Sequence, residues 1–123
     1  MLTTLRLVAI GGLAIAVTVC GGGSGGGVTN PPAGCTPGNG TVCLTTGNTF
    51  NPSTVTVARG TSVTWDNATG VTHNVTFDAV TGAPVSASNF SSGTFVATFT
   101  AAGTYPYHCT IHGLSMSGTV VVQ

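Results

Sequence analysis

Tyr105-Pro106-Tyr107-His108-Cys109-Thr110-Ile111-His112-Gly113-Leu114-Ser115-Met116 decides how this chain is read. Successive side chains of an extended segment point to opposite faces. Tyr105, Tyr107 and Cys109 therefore share an inward face, with Pro106 and His108 on the other. Gly103-Thr104 just before places Tyr105 where a sandwich corner can use its hydroxyl to bond nearby backbone. After Cys109 a tight loop carries His112, and Met116 follows.

The same period of two recurs outward from this stretch. Val55 and Val57 alternate with Thr54 and Thr56, Val63 and Trp65 with Ser62 and Thr64, and Phe95, Ala97 and Phe99 with Thr94, Val96 and Thr98. His73, Val75 and Phe77 alternate with Asn74 and Thr76, which predicts a strand over 73–78; Val120 and Val122 close the chain. Arg59-Gly60, Asn67-Ala-Thr-Gly70, Thr81-Gly-Ala-Pro84, Ser91-Ser-Gly93 and Ala102-Gly103 are turn signals between these segments. No window has helical periodicity. The pattern predicts an all-β, Greek-key β-sandwich of about seven or eight strands. Residues 78–93 read as a long loop or a loop with one irregular strand.

The N-terminal third has a different composition. Arg6 precedes the apolar run Leu7 to Val19, which is too short for a spanning helix and has the form of a secretory signal. Cys20 follows at once, and then Gly21-Gly-Gly-Ser-Gly-Gly-Gly27. A Cys closing such a run ahead of a flexible tether resembles a bacterial lipoprotein, in which Cys20 would carry the lipid. Val17 and Thr18 fit that pattern, while Val19 stands where Gly, Ala or Ser is usual; an ordinary signal peptide cleaved nearby is the alternative. The chain thus divides into 1–19 as signal, 20–40 as a lipid-anchored Gly/Pro-rich linker, and 41–123 as the folded domain. Both alternatives predict export, to the periplasm or cell surface.

Beyond Arg6, only Arg59, Asp66 and Asp78 carry Lys, Arg, Asp or Glu charge. No basic patch exists to neutralise phosphates, so nucleic acid is not an expected partner. Cys35 and Cys43 flank a turn-rich loop and can close a disulfide in an exported chain, pinning the linker to the first strand. A second metal site using the same two cysteines is the other possibility, although no His, Asp or Glu lies near them.

Two imidazoles, a thiolate and a thioether form the ligand set of a blue-copper site. Cys109 is the thiolate candidate; an unpaired Cys in an exported chain is otherwise a buried structural thiol. His112 lies within reach of the same ion across a turn, its plain alternative being a loop His. Met116 is the weak axial candidate or, more plainly, packing. Of the three His residues, His108 adjoins Cys109 and faces away, which leaves His73 as the second imidazole. Asn74 is a candidate outer hydrogen-bond partner or simply a polar edge residue.

Phe50-Asn-Pro with Val55-Thr-Val57, Gly60 with Val63-Thr-Trp65, His73-Asn-Val-Thr-Phe77, Gly103-Thr-Tyr-Pro-Tyr107, Cys109-Thr-Ile-His112 and Met116-Ser-Gly-Thr-Val120 resemble a small bacterial cupredoxin of the plastocyanin and amicyanin kind. The resemblance implies one type 1 copper per chain, held by His73, Cys109, His112 and Met116. It also implies one-electron shuttling between redox proteins, without catalysis of its own, by a monomer. The edge of His112 would then reach an apolar docking patch with Ile111, Gly113 and Leu114. Three residues separate His112 from Met116, against two in amicyanin-like and four in plastocyanin-like loops. A copper carrier without an electron-transfer role is the rival function.

Overall fold

Short strands of Val, Thr and aromatic residues bury one face each, and two sheets pressed together satisfy both faces. A computed structural model describes residues 34–123 and has this form. Its strands are β1 (Thr41–Leu44), β2 (Phe50–Asn51), β3 (Thr54–Val57), β4 (Thr61–Asn67), β5 (Thr76–Phe77), β6 (Gly93–Phe99), β7 (Gly103–Cys109) and β8 (Gly113–Val122). One sheet has the order β2-β1-β4-β6 and the other β3-β8-β7-β5. β1 runs parallel to β4 and β3 parallel to β8; the remaining neighbours are antiparallel. The signal segment 1–19, Cys20 and the linker as far as residue 33 lie outside the described residues.

Trp65 of β4 is fully buried and crosses the gap between the sheets. Its indole meets Phe77 and Tyr107 of the opposite sheet edge-on, with ring centroids 5.7 and 5.3 Å apart. Tyr107 also stands edge-on to Phe50 at 4.9 Å. Such pairs contribute roughly 0.5–1.5 kcal/mol each beyond their buried area. They lock the two sheets together beneath the end of β7 that carries Cys109.

The alternation expected along β7 holds: Tyr105, Tyr107 and Cys109 are buried, while Pro106 and His108 are only half-buried. The Tyr105 hydroxyl donates to the Ala101 carbonyl at 2.9 Å, which closes the corner before the strand. The Cys35–Cys43 disulfide is formed and ties the chain ahead of β1 onto that strand.

The expected strand over 73–78 is shorter than its alternation suggests, because only Thr76–Phe77 pairs with β7. His73 instead forms an isolated antiparallel bridge with Phe90, donating to its carbonyl at 3.0 Å and accepting from its N–H at 2.8 Å. Residues 78–92 form a loop stapled back onto this region. Ala87 N–H donates to the Val75 carbonyl, and Phe77 N–H donates to Ser86 Oγ, both at 2.9 Å.

Candidate metal centre

Three segments converge at one end of the sandwich. β7 delivers Cys109 on its inward face, and a register shift at His108/Cys109 sets Cys109 opposite Gly113. The turn this creates brings His112 back over the strand end; Gly113 supports it with φ +68°, a conformation that suits glycine. Ser115 Oγ donates to the His112 carbonyl at 2.8 Å and fixes the loop's exit. The bridge with Phe90 presents His73 from the other side.

One donor atom from each of His73, Cys109 and His112 lies within 4.8 Å of the others. The two Nδ1 atoms are 3.2 Å apart, and Cys109 Sγ is 3.5 Å from His112 Nδ1. His73 and Cys109 are fully buried, and His112 is partly exposed. Burial, with a smaller contribution from neighbouring His112, lowers the His73 pKa below its ordinary value of 6.5. The neutral imidazole that results is the form that binds metal. Met116 is fully buried on β8, in the same apolar cluster as Cys109. His108 stands apart from the cluster, its Nδ1 3.0 Å from Asp78 Oδ1.

Asn74 ties the site together. Its backbone N–H points at Cys109 Sγ at 3.5 Å, within reach for a donor to sulfur. Its side-chain oxygen accepts from Thr110 N–H at 2.9 Å, and its amide nitrogen donates to Thr110 Oγ1 at 2.7 Å and to Asn89 Oδ1 at 2.9 Å. Outer hydrogen bonds of this kind orient ligands and tune a bound metal. No pattern in the sequence marks Thr110 or Asn89 for this role. Asn67 opens a turn signal in the sequence, yet it is fully buried and donates to the carbonyls of Val71 and Phe90 at 2.9 and 2.8 Å. The parity Val63-Trp65-Asn67 along β4 puts it on the inward face, and that is the signal that finds it.

A buried set of one sulfur and two imidazole nitrogens, gathered on a rigid frame, suits copper better than an oxygen-seeking cation. Fold and donors together define a cupredoxin-like domain. A family model described as copper binding proteins, plastocyanin/azurin family, matches residues 44–123. The chain belongs to that family, and copper is its cofactor.

Plastocyanin of Scenedesmus fuscus is 40% identical over 84 residues, covering 60% of this chain and 86% of the relative. Plastocyanin A/B of Petroselinum crispum is 36% identical over 87 residues, covering 63% and 90%. A copper(I) form of an amicyanin mutant superposes with TM-score 0.61 at 34% identity, over 76% of this chain and 90% of that one. A copper-containing nitrite reductase from Thermus scotoductus gives 0.62 at 27% identity, but only 23% of its length is covered.

Proposed function

We propose that this protein is a type 1 copper electron carrier whose metal is held by His73, Cys109, His112 and Met116. The observation that carries the reading is the convergence of one ring nitrogen each from His73 and His112 with Cys109 Sγ, all within 4.8 Å, at a largely buried site. Bound copper supplies a one-electron couple between Cu(I) and Cu(II), and a frame that suits neither state fully keeps the rearrangement between them small. Each side chain has a part in that frame. The Cys109 thiolate is fixed by the end of β7 and by the Asn74 N–H. The Phe90 bridge fixes His73 from behind. Met116, fully buried on β8, is the fourth ligand in this reading.

His112 is the one partly exposed member of the cluster, so it is the natural exit for an electron. Around it Ile111 is 46% and Leu114 79% exposed, an apolar patch against which a redox protein can dock. With so few charges, docking there depends on contact more than on long-range steering. The protein is a carrier rather than an enzyme. Once His73 and His112 serve one copper, His108 alone of the chain's three His residues remains, and it pairs with Asp78. The covered part of the nitrite reductase is less than a quarter of that enzyme. Residues 1–20 support export, with anchoring through a lipid on Cys20, 20–40 as tether and 41–123 as the working domain, a monomer.

The test is a redox cycle on the copper-loaded protein. The reading expects complete bleaching by ascorbate, full recovery on reoxidation, and electron self-exchange fast enough to broaden NMR lines of His112. Copper that binds but leaves on each reduction would support the carrier alternative instead.

A further inference from the structure

We infer that Asn67 is the positioning residue for His73; the inference rests on the copper-site reading above. Asn67 ends β4 on the inward face, after Val63 and Trp65, and is fully buried. A buried amide at that place is costly unless its hydrogen-bonding capacity is met. Here it is met in full. Both amide hydrogens are used, on the Val71 carbonyl at 2.9 Å and the Phe90 carbonyl at 2.8 Å. The side-chain oxygen accepts from Thr69 N–H at 3.1 Å and Thr69 Oγ1 at 2.7 Å.

The two acceptors flank His73 in different ways. Val71 lies two residues before it along the chain. Phe90 lies across from it, exchanging both backbone hydrogen bonds with it. One amide therefore holds the backbone two residues before His73 and the backbone of its bridge partner. Among the described residues the His73 ring has no hydrogen-bond partner outside the metal cluster: its Nδ1 faces His112 Nδ1, and its Nε2 is buried without a partner. Its placement relative to Cys109 and His112 is then inherited from the backbone that Asn67 holds. A turn-forming Asn needs only its oxygen bonded to the backbone two residues on. The two bonds from the nitrogen, one spanning 23 residues, go beyond that role.

The experiment compares copper-loaded wild type with Asn67→Ala, the milder Asn67→Ser, and Val122→Ala. Val122 is buried at the far end of the β7–β8 ladder, opposite Gly103, and reports on loss of stability alone. Copper dissociation into excess chelator and the visible and EPR spectra are recorded for each. Removing an outer partner of a metal ligand typically costs about 10–100-fold in metal affinity. Both Asn67 variants are expected to lose copper about tenfold faster or more, with an altered blue band, while Val122→Ala keeps the wild-type rate and spectrum. Wild-type rates and spectra in the Asn67 variants would overturn the inference. So would equal acceleration in Val122→Ala, or failure of both Asn67 variants to fold, since each makes Asn67 a purely structural residue. A wild type without a blue band would instead overturn the copper-site reading itself.

Discussion

Gly118→Ala tests how tightly the frame beneath the metal centre is packed. Gly118 sits on β8 opposite Tyr107, between Met116 and Val120. A Cβ added there would lie 2.5 Å from both Cζ and the hydroxyl of Tyr107 and 2.9 Å from the Ser53 carbonyl oxygen. Comfortable carbon contacts begin near ~3.5 Å, so about 1 Å of movement is needed. Neither neighbour yields readily. Tyr107 is 1% exposed and wedged edge-on between Phe50 and Trp65. The Ser53 carbonyl accepts from Thr119 N–H at 2.8 Å. Overpacking a well-filled core costs roughly 1–3 kcal/mol, and two rigid neighbours place this case near 3 kcal/mol. For a domain of this size that lowers Tm by roughly 12–24 °C. Thermal unfolding of the apoprotein followed by circular dichroism measures it. Combining the change with Tyr107→Leu should cost less than the sum of the two single changes, because the ring clash is then gone while the Ser53 contact remains. A fall in Tm below about 4 °C, or strictly additive effects, would refute the packing argument.

Met116→Leu keeps the size and apolarity of the side chain but removes the thioether; the blue protein should persist with a shifted reduction potential, and an unchanged potential and spectrum would exclude Met116 as axial ligand. The lowered pKa of His73 makes the apoprotein acid-sensitive. Below about pH 6.5 the unfolded chain takes up a proton that the folded one resists, so stability is fully present above that pH and declines beneath it, by at most about 1.4 kcal/mol per pH unit. Urea midpoints that are equal at pH 7.5 and pH 5 would contradict this. Reducing the Cys35–Cys43 bond, which closes a loop of separation 8, should cost about 2–3 kcal/mol. Denaturation with and without reductant, on a Cys109→Ala background, measures that cost.

Much of the frame was legible because a half-buried strand writes its burial into the sequence every second residue. Val63, Trp65, Tyr105, Tyr107 and Cys109 all face inward as their parity demands. Two members of the cluster were legible too, since Cys109 and His112 sit three residues apart at the end of β7 and in the turn that follows. What stayed hidden depends on long-range pairing. His73 looks like part of a strand because His73, Val75 and Phe77 alternate, and the structure keeps that burial without the ladder. Its true partner, Phe90, lies in a loop with no strand pattern of its own. Asn67 and Asn89 look like ordinary turn residues, and only the fold reveals which backbone and side chains they reach. The parallel pairings β1–β4 and β3–β8 likewise follow from crossings between sheets that local alternation does not encode.

The central claim is that His73, Cys109, His112 and Met116 hold one copper through a thiolate bond. A visible spectrum of the purified domain during Cu(II) titration tests it most directly. The account predicts an intense blue band that saturates at one copper per chain and is absent in Cys109→Ala. A colourless or weakly coloured complex, or a band that survives loss of Cys109, would contradict it.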